Sequence, residues 1–167
     1  MKRSITLLCL IYSAISIVVA FLAHASLYFG FNLKHSAPTL WLLLHLSVAV
    51  SGVACIFSYR SRPDFRAEIF NEHSTVLLCL TALFIIFLPY SLFNFFYTSS
   101  LLHEGYLGVV DGKHVILLRS EPIMTLGVDE LPRYELYEAR KYSGHWMICH
   151  LLACVMSFVN FKWAYNN

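Results

Sequence analysis

Charged residues are scarce in this sequence. Only 13% of its 167 residues are Asp, Glu, Lys or Arg, whereas 58% are hydrophobic. Soluble domains are about a quarter charged, so this composition indicates a protein whose solvent is lipid. None of the first three long apolar stretches contains a charged residue. Because pumps and proton-coupled carriers usually need an ionisable group at the middle of the membrane, this absence disfavours ion-coupled transport.

Motifs of common enzyme and nucleic-acid-binding classes are also missing. The sequence has no Cys-x-x-Cys pair, no P-loop, no Gly-x-Ser-x-Gly and no His-Glu-x-x-His, which favours a protein without catalytic activity. The net charge of +2 is too small to indicate a nucleic-acid partner. The cysteines all lie within predicted helices without a shared ligand spacing, so we interpret them as small packing residues. They are Cys9, Cys55, Cys79, Cys149 and Cys154.

Four apolar stretches are long enough to cross a bilayer, which takes about 20 residues. They cover residues 5–29, 39–59, 75–98 and 143–165. The sequence therefore predicts an all-α membrane protein with four transmembrane helices. In the fourth stretch, Trp163 and Tyr165 suit an aromatic belt at the membrane interface. The first stretch also has the outline of a cleaved signal peptide, with Lys2 and Arg3 before it, but its length favours a span.

The distribution of positive charge predicts the orientation of these helices. Lys2 and Arg3 precede the first stretch, and three arginines follow the second, namely Arg60, Arg62 and Arg66. Since loops rich in Lys and Arg stay on the cytoplasmic side, both termini are expected inside a bacterial inner membrane. Residues 99–142 would then lie outside. Arg140 and Lys141, next to the fourth stretch, favour the opposite side, so the side of this loop stays open.

The loop of residues 99–142 is predicted to form a small extramembrane element. Asp111 and Gly112 separate two β-favouring runs, which is a strong local signal for a β-hairpin. The sequence RSEP, residues 119–122, marks a further turn. Residues 129–142 then read as an amphipathic helix with Pro132 in its first turn. We expect this helix to lie on the membrane surface, with Ser143 and Gly144 as the joint into the fourth span.

Two runs in this region, DGKHVIL and DELPRYELYEARKYSGHWM, resemble a pattern of small multi-pass bacterial membrane proteins. There a hairpin of the form DGxYVL precedes a helix of the form YxxYExRxxSGHWM that leads into the last span. His114 stands where tyrosine is usual. The resemblance covers residues 111–147 and implies four spans, without an activity to carry over. The matching residues are Asp111, Gly112, Lys113, Tyr134, Tyr137, Glu138, Arg140, Ser143, Gly144, His145 and Trp146.

Histidines near one end of the predicted helices are the candidates for a metal or haem site. His24, His45, and His145 or His150 fall at similar depths if each helical residue rises about 1.5 Å. Imidazole is a ligand for zinc, copper and iron. The alternative, which we favour, is that these side chains hydrogen-bond the backbone, water or neighbouring helices. No cofactor is therefore expected, although a metal or haem stays open.

Stripes of small residues predict helix–helix packing and self-association. They comprise Ser16, Ala20, Ser47, Ser51, Cys149, Ala153 and Ser157. The leading functional hypothesis is a non-enzymatic membrane subunit that binds a protein partner or senses a membrane event, of an immunity, phage-defence or sensor type. Candidate partner-binding residues are Asp111, Gly112, Lys113, Tyr134, Tyr137 and Arg140. The alternatives are a histidine-ligated redox subunit and a small transporter or channel, for which Ser91 and Asn94 are the only polar hint.

Overall fold

The computed structural model describes residues 2–60 and 75–166, and this part of the chain is mostly helical. The long helices are α1 (Lys2–Ser26), α3 (Pro38–Arg60), α4 (Thr75–Leu101) and α5 (Leu131–Asn166). The short helix α2 (Leu33–Ser36) is a single turn. The strands are β1 (Tyr106–Val110), β2 (Lys113–Leu118) and β3 (Glu121–Thr125). The predicted charged loop with Arg62 and Arg66 lies outside the described residues.

Three helical segments within the described residues are long and apolar enough to cross a membrane. They are Ser4–Phe29, Thr75–Leu101 and Leu131–Lys162. The second predicted span coincides with α3, whose described apolar part, Pro38–Val53, is shorter than this length. Length and composition thus support the first, third and fourth predicted spans, and the second, residues 39–59, stays a prediction.

Helix α5 is the centre of the bundle, because α1, α3 and α4 all pack against it while α1 and α3 contact each other only slightly. One core cluster surrounds Trp146 and Met147, and a second joins Leu77 of α4 to Val155 of α5. Large apolar side chains such as Ile85 lie on the outer faces of the bundle. The exposed surface of the helices is therefore apolar, as expected of helices surrounded by lipid.

The three strands form an antiparallel sheet in the order β1-β2-β3. The predicted hairpin is confirmed: Asp111 and Gly112 form its two-residue turn with φ of 49° and 73°. Positive φ at both turn residues is the type I′ geometry that matches strand twist. Arg119 and Ser120 make the second turn, also with positive φ. The RSEP turn therefore leads into a third strand, which makes the predicted hairpin part of a larger sheet.

The expected joint between a surface helix and the last span is absent from the described residues. Helix α5 runs from Leu131 to Asn166 through Ser143 and Gly144 without a break. Pro132 lies in its first turn, where a missing backbone N–H costs little. A Cβ atom at Gly144 would lie 3.1 Å from Ser91 Oγ. The glycine therefore allows α4 to approach α5 closely.

Candidate functional site

A buried histidine joins three helices near the sheet end of the bundle. His24 of α1 is only 3% exposed. Its Nδ1 lies 2.6 Å from Ser143 Oγ of α5, and its Nε2 lies 2.7 Å from the hydroxyl of Tyr90 in α4. Both ring nitrogens are therefore occupied by hydrogen bonds between helices.

The hydrogen bonds continue from Tyr90 through neighbouring polar side chains. The hydroxyl of Tyr28, in the 3₁₀ turn after α1, lies 2.6 Å from that of Tyr90 and donates to Asn94 Oδ1 at 3.3 Å. Asn94 Nδ2 in turn donates to the carbonyl of Arg140 at 2.6 Å. We call His24, Tyr28, Tyr90, Asn94, Arg140 and Ser143 the polar network. It connects α1, α4 and α5 in a region that is otherwise apolar.

Arg140 is the charged member of the polar network. Its guanidinium carbon lies 4.1 Å from the centre of the Tyr28 ring, a cation–π arrangement. Its Nε is buried and has no hydrogen-bond partner among the described residues. Because the Tyr28 hydroxyl is held by two hydrogen bonds, the ring gives the guanidinium a fixed position.

Further hydrogen bonds hold α5 to its neighbours. His150, which is fully buried, lies 3.0 Å from Ser47 Oγ through Nε2 and 3.0 Å from Ser51 Oγ through Nδ1. On the other side of α5, Ser157 Oγ lies 3.3 Å from Ser13 Oγ of α1. Interhelical hydrogen bonds of this kind contribute about 0.6 kcal/mol each on average in membrane proteins. Their role here is to set the register of the helices.

The four histidines proposed as metal ligands occupy different environments. His24 belongs to the polar network, and His150 is bonded to the two serines of α3. His45 is exposed, donates from Nδ1 to the carbonyl of Trp41, and its ring packs edge-on against Trp146. His145 is also exposed and contacts Phe95. Within residues 2–60 and 75–166, no three His, Cys, Asp or Glu side chains form a metal-binding group. The metal or haem site stays a prediction that this geometry does not favour.

The candidate partner-binding residues are divided between the sheet and α5. Asp111, Gly112 and Lys113 are exposed at the β1–β2 turn. Tyr134 faces the sheet, with its hydroxyl 3.9 Å from Met124 Sδ, whereas Tyr137 receives a hydrogen bond from Arg133 of its own helix. The sixth candidate, Arg140, lies in the polar network instead. These residues therefore do not form one surface.

Glu138 attaches the sheet and the α1–α3 connection to α5, a role that sequence reasoning missed. One carboxylate oxygen accepts a hydrogen bond from the backbone N–H of Leu107 in β1 at 3.1 Å. The other pairs with Lys34 Nζ at 3.0 Å. One turn earlier, Glu135 pairs with His35 at 2.9 Å. The spacing of Glu135 and Glu138 on one helix face was the available signal, but their partners are far away in sequence.

The small-residue stripes lie at contacts within the chain. Five members are buried, namely Ser16, Ala20, Ser51, Ala153 and Ser157, while Ser47 and Cys149 are half-buried. The hydrogen bonds of Ser51 and Ser157 place these stripes between α3 and α5 and between α1 and α5. Self-association would therefore have to use other faces.

Comparison with models of protein families, with curated proteins and with solved structures gives no match.

Proposed function

We propose that this chain is an integral membrane protein with four spans in the bacterial inner membrane and both termini in the cytoplasm. The distribution of side chains is the reverse of that in a soluble protein, and this supports insertion into a membrane. Polar groups such as His24, Asn94 and His150 are buried between helices, whereas large apolar side chains cover the outside. Water would penalise such an exterior, and lipid would not. The Lys and Arg residues before the first and after the second apolar stretch support the proposed orientation.

We further propose that the protein is a non-enzymatic subunit that binds a protein partner through its sheet. The observation that carries this proposal is the exposure of large apolar side chains outside the apolar helices. Val109 in β1 is 61% exposed and Val128, after β3, is 88% exposed. Ile123 in β3 is also exposed, and Tyr106 is exposed on the face of β1 opposite to Val109. Exposed apolar side chains outside the long helices offer contacts to a partner, and Val109 is the contact that we propose.

The connection of the sheet to the helical bundle supports a sensing role for this protein, in which partner binding at the sheet is communicated to the helices. Glu138 bonds to β1, and two residues later on the same helix Arg140 joins the polar network. The backbone of α5 links these two contacts, and the polar network continues from Arg140 to His24 in α1. By analogy of format, we propose a bacterial protein of an immunity, phage-defence or sensor type. Self-association through the exposed outer helix faces belongs to the same proposal.

The partner surface is tested with Val109→Lys. A lysine there introduces a charge into an apolar contact, so recovery of the partner should fall by about tenfold or more. The measurement is quantitative affinity purification in mild detergent from the native membrane, compared with wild type.

The matched control is Glu121→Gln, which also raises the net charge by one, by removing a carboxylate, and lies at the start of β3. This variant should recover as much partner as wild type does. Both variants must still require detergent for extraction, which tests membrane insertion separately. An equal loss of partner recovery in both variants, or no loss in Val109→Lys, would contradict partner binding at Val109.

A further inference from the structure

Arg140 lies where α5 changes from a charged to an uncharged sequence. Residues 142–161, which follow Lys141, contain no Asp, Glu, Lys or Arg. Aromatic side chains are exposed on neighbouring elements at this end of the bundle, among them Phe29 after α1 and Tyr97 in α4. Aromatic belts mark the level of the lipid headgroups. If the chain spans a membrane as proposed above, Arg140 lies at that level.

The guanidinium of Arg140 has no carboxylate partner in the part of the chain that the structure describes. There, Glu138 forms an ion pair with Lys34, and Glu135 lies 2.9 Å from His35 Nε2. The carboxylates nearest to Arg140 along α5 are therefore already paired. A charged N–H donor that is buried without an acceptor costs free energy, and more so next to lipid. Arg140 as a whole is half-buried, so an anion outside the chain can pair with the accessible part of its guanidinium.

The environment of Arg140 defines the chemistry of that acceptor. The Tyr28 ring stacks on the guanidinium and fixes its plane, while Nε is buried without a partner. A guanidinium presents a planar fork of N–H donors that matches phosphate oxygens in pairs. Lys141, the next residue, contacts other groups, since its Nζ lies 3.4 Å from the carbonyl of Gly105 and over the Phe95 ring. The site at Arg140 therefore favours a phosphate group.

We propose that Arg140, stacked on Tyr28, binds the headgroup phosphate of an anionic phospholipid. This inference rests on the proposed membrane insertion but not on the proposed protein partner. The lipid phosphate pairs with the guanidinium charge, which has no carboxylate partner among the described residues, and the acyl chains lie along the exposed aromatic side chains. Binding also connects the lipid to the polar network, because the carbonyl of Arg140 accepts the hydrogen bond of Asn94.

The test is a binding titration of the detergent-purified protein with short-chain phosphatidylglycerol, followed by microscale thermophoresis. Phosphatidylcholine with the same chains and inorganic phosphate are titrated in parallel. Wild type should bind phosphatidylglycerol more tightly than phosphatidylcholine. Arg140→Gln should weaken phosphatidylglycerol binding by about ten- to a hundredfold, the effect of losing hydrogen bonds to a charged group.

The matched control is Arg119→Gln, because Arg119 is an exposed arginine at the β2–β3 turn. It should bind phosphatidylglycerol as wild type does. Inorganic phosphate that binds as tightly as the lipid would overturn the lipid assignment in favour of a free anion. Equal affinity of wild type for the two lipids, or unchanged affinity in Arg140→Gln, would overturn the proposal itself.

Tyr28→Leu provides a second variant if Arg140→Gln does not fold. It removes the ring under the guanidinium but keeps the charge, so phosphatidylglycerol binding should weaken by about threefold or more. Unchanged affinity in this variant contradicts the proposed stacked site. Partner recovery with Arg140→Gln is measured separately, and its retention distinguishes a failed lipid site from a failed partner surface.

Discussion

Trp146→Ala is expected to lower the free energy of unfolding by about 3–5 kcal/mol, the usual cost of truncating a buried aromatic residue. Trp146 is only 2% exposed and leads the large, fully buried side chains among the residues whose burial the structure describes. Its ring centre lies 4.7 Å from that of Trp41 and 5.0 Å from that of His45. Alanine would leave a cavity at the point where α1, α3 and α5 meet, next to Ala20.

The measurement is unfolding in mixed micelles with increasing sodium dodecyl sulfate, followed by circular dichroism. Phe96→Ala is the matched control, because Phe96 is 66% exposed on the outer face of α4. That variant should change stability by less than about 0.5 kcal/mol, as surface substitutions generally do. Similar losses in the two variants would mean that Trp146 does not occupy the centre of the bundle.

Gly144→Val is expected to cost about 1–3 kcal/mol through overpacking. A Cβ atom at this position would lie 3.1 Å from Ser91 Oγ and 3.3 Å from Asn94 Nδ2. The remaining valine atoms would need space now occupied by α4. The nearest relief is to move α4 away, which also breaks the hydrogen bond from Asn94 to the carbonyl of Arg140.

Gly52→Val is the control for this prediction. Gly52 is also a helical glycine, but a Cβ atom there would meet nothing within 4 Å. Valine is a better helix former than glycine, so this variant should be neutral or slightly stabilising. The same unfolding titration compares the two variants. A loss of stability in Gly52→Val as large as in Gly144→Val would refute the close approach of α4 and α5.

Local patterns in the sequence predicted several parts of the fold correctly. The apolar stretches at residues 5–29 and 75–98 agree with α1 and α4, because length and the absence of charge suffice to recognise such helices. The turn at Asp111 and Gly112 was predictable, since both residue types tolerate positive φ. The same argument could not predict the positive φ of Arg119 and Ser120, because these residue types rarely adopt a positive φ.

Contacts between distant segments could not be predicted in the same way. His24 and His45 lie at comparable depths in the sequence, but one is buried between helices and the other is exposed. Depth follows from counting residues, whereas the direction of a side chain depends on how the helices rotate against each other. Asn94 was noticed only as a possible transport residue. Its actual partner, the carbonyl of Arg140, lies 46 residues away in sequence.

The packing of α1 against α5 is tested most directly by cysteine cross-linking. In a background with the native cysteines replaced by alanine, Ser13→Cys and Ser157→Cys should form an intrachain disulfide on oxidation, because the two Oγ atoms lie 3.3 Å apart. Ile15→Cys with Ser157→Cys should not cross-link, since Ile15 is exposed on another face of α1. Cross-linking of the second pair but not the first would contradict the central position of α5.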